Sequence, residues 1–566
     1  MRTMHIATAV FLALLILIPL GASSQNKVRV PPFTVGSVYL NDFIMGDTLA
    51  SGARRDSTCI YVLSRGGSYL CNALIRNIGW TLRIIPNDTT GNVSKPVVYL
   101  YPGGSSQLPP GQFVDMRGNV SMKNIIISGY FEPLPGNLNG LQGALFNTTA
   151  VGLNLTLDSC MLTNTNGNHV RTDQAPKVIR ITNCIFANMG YLGRSNLGAG
   201  KGIDVRAGSV DSLIVVNNTF VNWQDRIIRH FSSTANIQYL RFEHNTCVNG
   251  MSYHGFLSLG RLGKRAIIRD NLLLDAFAAG QDTDGTRQAE FTDSGEKDAF
   301  GFPRMTWIFS VPNDSTAWTV AHNYYRITPA GQSFFDSASI LPIVANPPLV
   351  KGSPLTYHIN SRPGVDSTTA FQTHTAALPN VPKLMTEMMK WYRRPAAPPD
   401  SGAAKTKNTG TWKSQFDFDR RYITYYRDSM NCAYPTSDPV YTAATGGYPV
   451  GDLNWFPARL SAWLADPVSG VSEGASGVPA VFELHQNYPN PFNPATTISF
   501  TLGKGGYTTL VVYNMLGQKV ATLVSGNVTA GRHDVKFDAS RISSGMYFYR
   551  LESGSLSSVK KMMLLK

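Results

Sequence analysis

None of the six cysteines (Cys59, Cys71, Cys160, Cys184, Cys247 and Cys432) stands in a CxxC pair or at zinc-ligand spacing from a histidine. A local zinc knot and a thioredoxin-like redox pair are therefore excluded. The chain also lacks a glycine-rich phosphate loop, a zinc-binding helix and a Gly-x-Ser-x-Gly elbow, which removes the common nucleotide-binding, metalloprotease and esterase motifs. Charge is sparse, at 15% of residues, and no basic run is interleaved with aromatics. That argues against a nucleic-acid partner. Beyond Leu20 no stretch is apolar enough to span a bilayer, so no transmembrane segment is expected in the mature chain.

What is abundant points elsewhere. The 51 glycines and 33 prolines suit a turn-rich β protein better than a helical one. A length of 566 residues calls for several domains. The net charge of +14 favours acidic glycans or an anionic surface as partners. At the N-terminus, Arg2, the apolar run Ile6 to Leu20 and the small residues Gly21-Ala22-Ser23-Ser24 have the form of a signal peptide over residues 1–24. Export permits disulfides. Cys59 and Cys71 are the expected bonded pair, and Cys160 and Cys184 are expected as two buried thiols.

Between Met116 and Ile327 one pattern recurs: alternating apolar residues, a small polar residue, a short strand, then Asn, Asp or Gly. Aligned copies place Ile125, Cys160, Cys184, Asn218, Asn245, Asn271 and Asn323 in one column, with gaps of 35, 24, 34, 27, 26 and 52 residues. The last gap is twice a normal one, so it holds either a degenerate coil or an insertion. A period in the mid-twenties built from short strands without helices predicts a stacked parallel solenoid rising about 4.8 Å per coil. Asparagine at such a corner tolerates left-handed backbone angles, and stacked amides can hydrogen-bond from coil to coil.

The Asn-Asn-Thr-Phe style of these turns, as at Asn217-Asn218-Thr219-Phe220, resembles the right-handed parallel β-helix proteins of the pectate lyase superfamily. Residues Tyr441 to Trp455 resemble the closing segment of uncharacterised exported bacterial β-helix proteins. The C-terminal segment runs from Asn487-Tyr488-Pro489-Asn490-Pro491-Phe492-Asn493-Pro494 through Leu510 to Val520, Gly531-Arg532-His533 and Ser544 to Leu551, ending with Val559-Lys560-Lys561-Met562. It resembles the sorting domain of the type IX secretion system. Its short alternating runs broken by Gly517, Gly526, Gly531 and Gly545 predict a small antiparallel β-sandwich. The expected organisation is therefore all-β: a signal peptide (1–24), a parallel β-helix (26–350), a capping extension with a short helix over Val381 to Tyr392 (351–465), a linker (466–480) and the sorting domain (481–566). The resemblance implies passage through the periplasm to the outer-membrane surface or the medium, with the secretion machinery engaging residues 481–566. The protein is expected to be a monomer.

In the superfamily, substrate lies along the first strand of successive coils, which here precedes the Asn column by roughly fifteen residues. If Val170, Ile203 and Val205 face inward, alternation sets His169, Arg171, Asp204 and Arg206 outward. In the next coil either Arg229 or His230 faces out. Cleavage of a uronate chain by β-elimination needs carboxylate neutralisation, a base and an acid. Arg171, Arg206 and Arg229 would bind the carboxylate. His169 or His230 would transfer protons, and Asp204 would orient a histidine or help hold a cation. The paired-Asp motifs of β-helix polygalacturonases are absent, which disfavours hydrolysis. A second candidate is the polar insert, where Asp282, Asp284 and Glu290 offer oxygen ligands for calcium, although full calcium-loop spacing is not met. Two functions follow. One is binding, with cleavage left open, of an extracellular acidic polysaccharide. The other is a non-catalytic adhesive or stalk protein whose outer charges pair with one another.

Deleting residues 481–566 is expected to trap a folded, protease-resistant body in the periplasm. The check is fractionation followed by limited proteolysis, and normal secretion of the truncated chain would refute the assignment of these residues to sorting.

Overall fold

The structure is a computed structural model. It describes residues 26–103 apart from 52–53 and 88–93, then 109–129, 142–189, 200–276, 307–329, 355–379, 430–466 and 483–565, with a few short runs inside these excepted. The expected signal peptide, the Val381 to Tyr392 helix, the linker beyond residue 466, and Asp282, Asp284 and Glu290 lie outside the described residues.

The repeat forms three parallel sheets that share one interior. The first sheet stacks Ile75–Arg76, Gln112–Met116, Gln142–Thr148, the end of Met161–Thr172, Lys201–Val205, Ile228–His230, the start of Leu257–Arg269, and Ile308–Val311. The second runs from Lys27–Val30 through Ile60–Leu63, Leu82–Pro86, Val120–Lys123, Asn154–Asp158, Val178–Thr182, Val210–Val216 and Asn236–Glu243 to Ala317–Ala321. The third runs from Ser68–Cys71 to Asn323–Arg326 and on to Phe371–Thr373. This is the parallel β-helix the period predicts. Parallel pairing continues past residue 350, since Leu355 bridges Ile308 and Val365 bridges Val320. The repeat is hard to see there because those pairings are single bridges rather than strands.

Inward columns supply the core. Leu157, Ile181, Val215, Phe242, Ile268 and Val320 are almost fully buried on successive coils of the second sheet. Phe186, Phe220 and Phe242 continue one another at 4.9 and 6.2 Å between ring centroids. Burying each such side chain stabilises by about 1.5–3 kcal/mol before chain entropy is counted. Helix Leu40–Met45 places Leu40 and Ile44 in the same core beside the first coils.

The corner column is a continuous amide ladder. Asn218 Nδ2 donates to Asn245 Oδ1 at 3.0 Å, Asn245 Nδ2 to Asn271 Oδ1 at 3.1 Å, and Asn271 Nδ2 to Asn323 Oδ1 at 2.7 Å. Each amide also donates to a backbone carbonyl, those of Ile181, Val215 and Phe242 in turn. The direct bond from Asn271 to Asn323 shows that the 52-residue gap is one coil with an insertion. The left-handed residue is not the ladder asparagine but its predecessor: Asn183, Asn217, His244, Asp270 and His322 have φ between +50° and +60°. The ladder amide must point inward, so the residue before it absorbs the turn. A second column, Asn164, Asn188, Asn222 and Asn249, is also left-handed, with side-chain bonds at 3.0, 2.9 and 3.4 Å.

All six cysteines are free and buried. Cys184 takes an amide's place in the ladder, its Sγ accepting from Cys160 N at 3.4 Å. The expected Cys59–Cys71 bond is not formed. Cys59 leads into a strand of the second sheet and Cys71 ends a strand of the third, so the two thiols sit on different sides of a coil. Cys59 Sγ lies 3.8 Å from Asp47 Oδ2, and Cys71 Sγ donates to Ala73 O at 3.1 Å.

Residues 430–466, expected as a cap, lie instead along the solenoid's flank. They cover Ile214, Val216, Val248, Leu272 and Leu274 and form a second apolar core with Tyr434, Val450, Leu453 and Trp463. The C-terminal region is the expected antiparallel sandwich. A three-stranded sheet (Glu483–Leu484, Ala495–Leu502, Gly531–Asp538) faces a four-stranded one (Lys519–Val528, Gly506–Asn514, Gly545–Ser553, Leu556–Leu564) across a separate core.

Changing Asn245 to Ala is expected to destabilise the β-helix by about 3 kcal/mol, because Val215 O and the Asn218 amide groups lose a buried partner. Denaturant unfolding measures this, and a change below about 0.5 kcal/mol would contradict the ladder's role.

Candidate functional site

The outer face of the first sheet carries the stack inferred from the period. Arg171 pairs with Asp204, and Asp204 with Arg229, on neighbouring coils. The column continues to Asn147 and Asp115 on one side and Ser258 on the other. Of the two candidates in the third coil, Arg229 is the outward one. His230 follows the buried Val205 column and is itself buried, with Nδ1 3.0 Å from Leu259 O. Burial pushes its pKa down.

His169 does not face out. It is fully buried, its ring edge-on to Phe186 at 5.2 Å, and neither ring nitrogen has a hydrogen-bond partner. Alternation fails here because the chain enters six of the eight strands of this sheet with two consecutive buried residues. Phe113-Val114, Leu145-Phe146, His169-Val170, Ile227-Ile228, Phe256-Leu257 and Trp307-Ile308 all belong to the core. Burial depresses the His169 pKa to about 3, so the ring is neutral.

Each carboxylate among the remaining charges is held by at least one basic side chain. Arg76 Nε meets Asp115 Oδ2 at 2.6 Å, with Arg117 at 3.4 Å. Arg171 Nε donates to Asp173 Oδ1 at 2.9 Å, and Asn147 Nδ2 to the other carboxylate oxygen at 2.8 Å. Burial raises the Asp173 pKa, but Asn147, Arg171 and Arg206 together hold it below its ordinary value. Arg229 Nη1 lies 3.3 Å from Asp204 Oδ1, and Asn168 Nδ2 is 3.3 Å from Asp204 Oδ2. Arg206 is exposed. Lys201 and Asp225 form a buried pair at 3.1 Å, with Arg226 at 3.8 Å. Burial lowers the Lys201 pKa despite Asp225 and Asp204. Sequence reasoning did not single out Lys201, Asp225 or Asn168. A lysine, an aspartate and an asparagine inside otherwise apolar strand ends were the available signal.

A second polar cluster sits at the corner between the second and third sheets. Glu243, His244 and Asp270 bring ligand-type atoms within 4.8 Å of one another. Arg241 and Arg269 already hold Glu243 at 2.5 and 2.9 Å, and Arg269 Nε lies 3.6 Å from Asp270 Oδ2. A divalent cation would share the pocket with two guanidiniums, so the donor set forms an ion-pair network and does not fit a metal. His244, Asp270 and His322 were visible in the sequence as the departures from Asn and Ser in the left-handed column. The flanking strap rests directly on this corner. Gly451, with φ +90°, leaves no room for a Cβ, which would stand 2.5 Å from Thr246 Oγ1.

Residues 486–565 match the secretion system C-terminal sorting domain family. No curated protein and no solved structure matches the chain. The sorting domain directs the protein to the secretion machinery and marks it as secreted or displayed at the cell surface. No described helix is long and apolar enough to cross a membrane.

Because the unfolded chain takes up a proton at His169 below about pH 6.5 and the folded chain does not, stability falls as pH drops from 6.5 toward the depressed value. His169→Leu is expected to leave stability at neutral pH unchanged or higher, and to recover roughly 1–2 kcal/mol of the loss near pH 5. Parallel denaturant titrations of parent and variant at the two pH values decide this. Loss of the folded state in the variant would mean that the imidazole has a polar partner.

Proposed function

We propose that the solenoid is a non-catalytic body, a stiff stalk or adhesive surface carried outside the cell, and not a uronate lyase. The observation that carries this reading is the mutual pairing of the charges on the strand face. Each carboxylate of the face is held by a basic side chain: Asp115 by Arg76, Asp173 by Arg171, Asp204 by Arg229 and Asp225 by Lys201. The two histidines suited to proton transfer are buried, so neither can reach a sugar carbon acid. A proton-transfer group must come within hydrogen-bond reach of the atom it serves. Stacked sheets, stacked amides and a flank covered by the chain's own strap suit a rod that has to survive outside the cell.

A second reading keeps the acidic polysaccharide as a bound partner without cleavage. Arg206 is exposed near Asp173, where it adds positive charge at the edge of the paired column. Such charge would supply weak, salt-screened attraction.

Incubation with a panel of uronate polysaccharides is expected to yield no ultraviolet-absorbing unsaturated product. If an acidic glycan binds, Arg171→Ala and Arg206→Ala should each weaken binding by less than about 1 kcal/mol, in a salt-dependent manner. Turnover, or a loss of more than about 2 kcal/mol from either substitution, would restore the lyase-type groove.

A further inference from the structure

Two lysine–aspartate contacts on the solenoid differ in one respect. Lys123 Nζ meets Asp158 Oδ2 at 2.8 Å with both side chains open to water, at 54% and 24% exposure. Lys201 Nζ meets Asp225 Oδ2 at 3.1 Å with the two side chains only 4% and 1% exposed. The backbone holds this buried contact in place. Asp225 N donates to Gly200 O at 3.1 Å, and Gly202 N to Arg226 O at 3.0 Å, so the residues on either side of Lys201 are bonded to the next coil around Asp225. The second carboxylate oxygen, Oδ1, faces Arg226 Nε at 3.8 Å. Elsewhere on the face, Asp115, Asp173 and Asp204 meet guanidiniums. A guanidinium keeps its charge, whereas a buried amine that has given up its proton is a nucleophile. Burying an ammonium and a carboxylate together costs about as much hydration as their attraction returns. Passing one ammonium proton to Oδ2 removes both charges and leaves a neutral amine against a neutral carboxyl group. Burial pushes Lys201 in that direction, against the pull of Asp225 and Asp204.

We propose that Lys201 and Asp225 condense into an isopeptide amide that ties two neighbouring coils of the solenoid covalently. The reaction balances within the pair. The Lys201 ammonium gives one proton to Asp225 Oδ2. The nitrogen lone pair attacks Cγ, and the Nζ–Cγ bond forms while negative charge gathers on Oδ1, the oxygen that Arg226 faces. A second proton passes from nitrogen to Oδ2, the Cγ–Oδ2 bond breaks, and water leaves. Oδ1 becomes the amide carbonyl oxygen, and nothing is oxidised or reduced. Asp204 and Arg229, the other charges that act on Lys201, lie 3.3 Å from each other and so leave the amine to Asp225. Amines and carboxylic acids condense slowly in water, but two groups held in contact by a fixed backbone react as a unimolecular pair. A buried neutral amide also avoids the hydration cost of the ion pair it replaces. In the exposed Lys123–Asp158 contact water solvates both charges, and no condensation is expected there. The bond would keep a pull along the chain from peeling residues 201–225 off the stack. It forms or fails whether or not the body is a stalk.

The test is mass spectrometry of the secreted chain, denatured and cleaved with a lysine-specific endoprotease. Cleavage is expected at Lys123, Lys177 and Lys264 but not at the acylated Lys201. Residues 178–264 should then appear as one peptide, lighter than the linear sequence by one water and lacking backbone fragments between 201 and 225. Lys201→Arg keeps a cation for Asp225 and removes the nucleophile, so its 178–264 peptide is expected at the full linear mass. In a time course after synthesis, Arg226→Gln is expected to slow loop formation by about ten-fold or more. An unslowed course would remove Arg226 from the reaction. Complete cleavage at Lys201, giving residues 178–201 and 202–264 at unmodified mass, would overturn the proposal. So would a dehydrated 178–264 peptide that Lys201→Arg still forms, since its water would come from another group.

Discussion

One buried amide per coil, from Asn218 to Asn323, carries the corner of this solenoid. Each ladder asparagine accepts from the preceding coil and donates back to a carbonyl of that coil, and every one before Asn323 also donates to the next amide, so the bend closes without an orphan polar group. The consequences spread outward. The amide has to point inward, so the preceding residue adopts the left-handed conformation. That residue's side chain points away from the core, and at three successive coils it is His244, Asp270 and His322. The polar seam with the strap is thus a by-product of how the corner is built.

The same reasoning explains what could be read from sequence. Asn218, Asn245 and Asn271 recur at nearly constant spacing, and once the column is fixed the register of the first sheet follows, which is why Arg171, Asp204 and Arg229 were correctly stacked. The period gives the coil and the coil gives the neighbours. Alternation did not give the faces. His169 and Val170 are both buried where the single strand Met161–Thr172 passes from the third sheet into the first with an irregular register, and a rule of period two cannot follow that shift. The choice between Arg229 and His230 stayed open for the same reason, since it depends on where alternation starts.

The strap was legible only through Tyr441 to Trp455, which resemble a closing segment, and as part of an expected capping extension. Its binding residues and their partners are more than 200 positions apart, as Asp452 is from Thr219 and Thr246. Nothing local in either segment encodes the match. The buried ion pair of Lys201 and Asp225 is similar in kind: each residue alone looks like a strand-end charge, and only the coil geometry makes them partners. The cysteines give the opposite lesson. Twelve positions separate Cys59 from Cys71, yet they belong to different sides of the triangle, so closeness in sequence did not bring them together.

The ladder also has a definite terminus. Asn323, its last member, donates not to another amide but to the backbone carbonyls of Ile268 and Ala370 at 2.9 and 3.1 Å. A stack of identical coils is by nature an unfinished fibre, open to extension by any chain that presents the same repeat. Here the final corner donates to the closing turn, and Asn323 has no amide hydrogen left to template a further rung. Chains released together into the medium at high local concentration can therefore meet end to end without the ladder continuing from one molecule into the next.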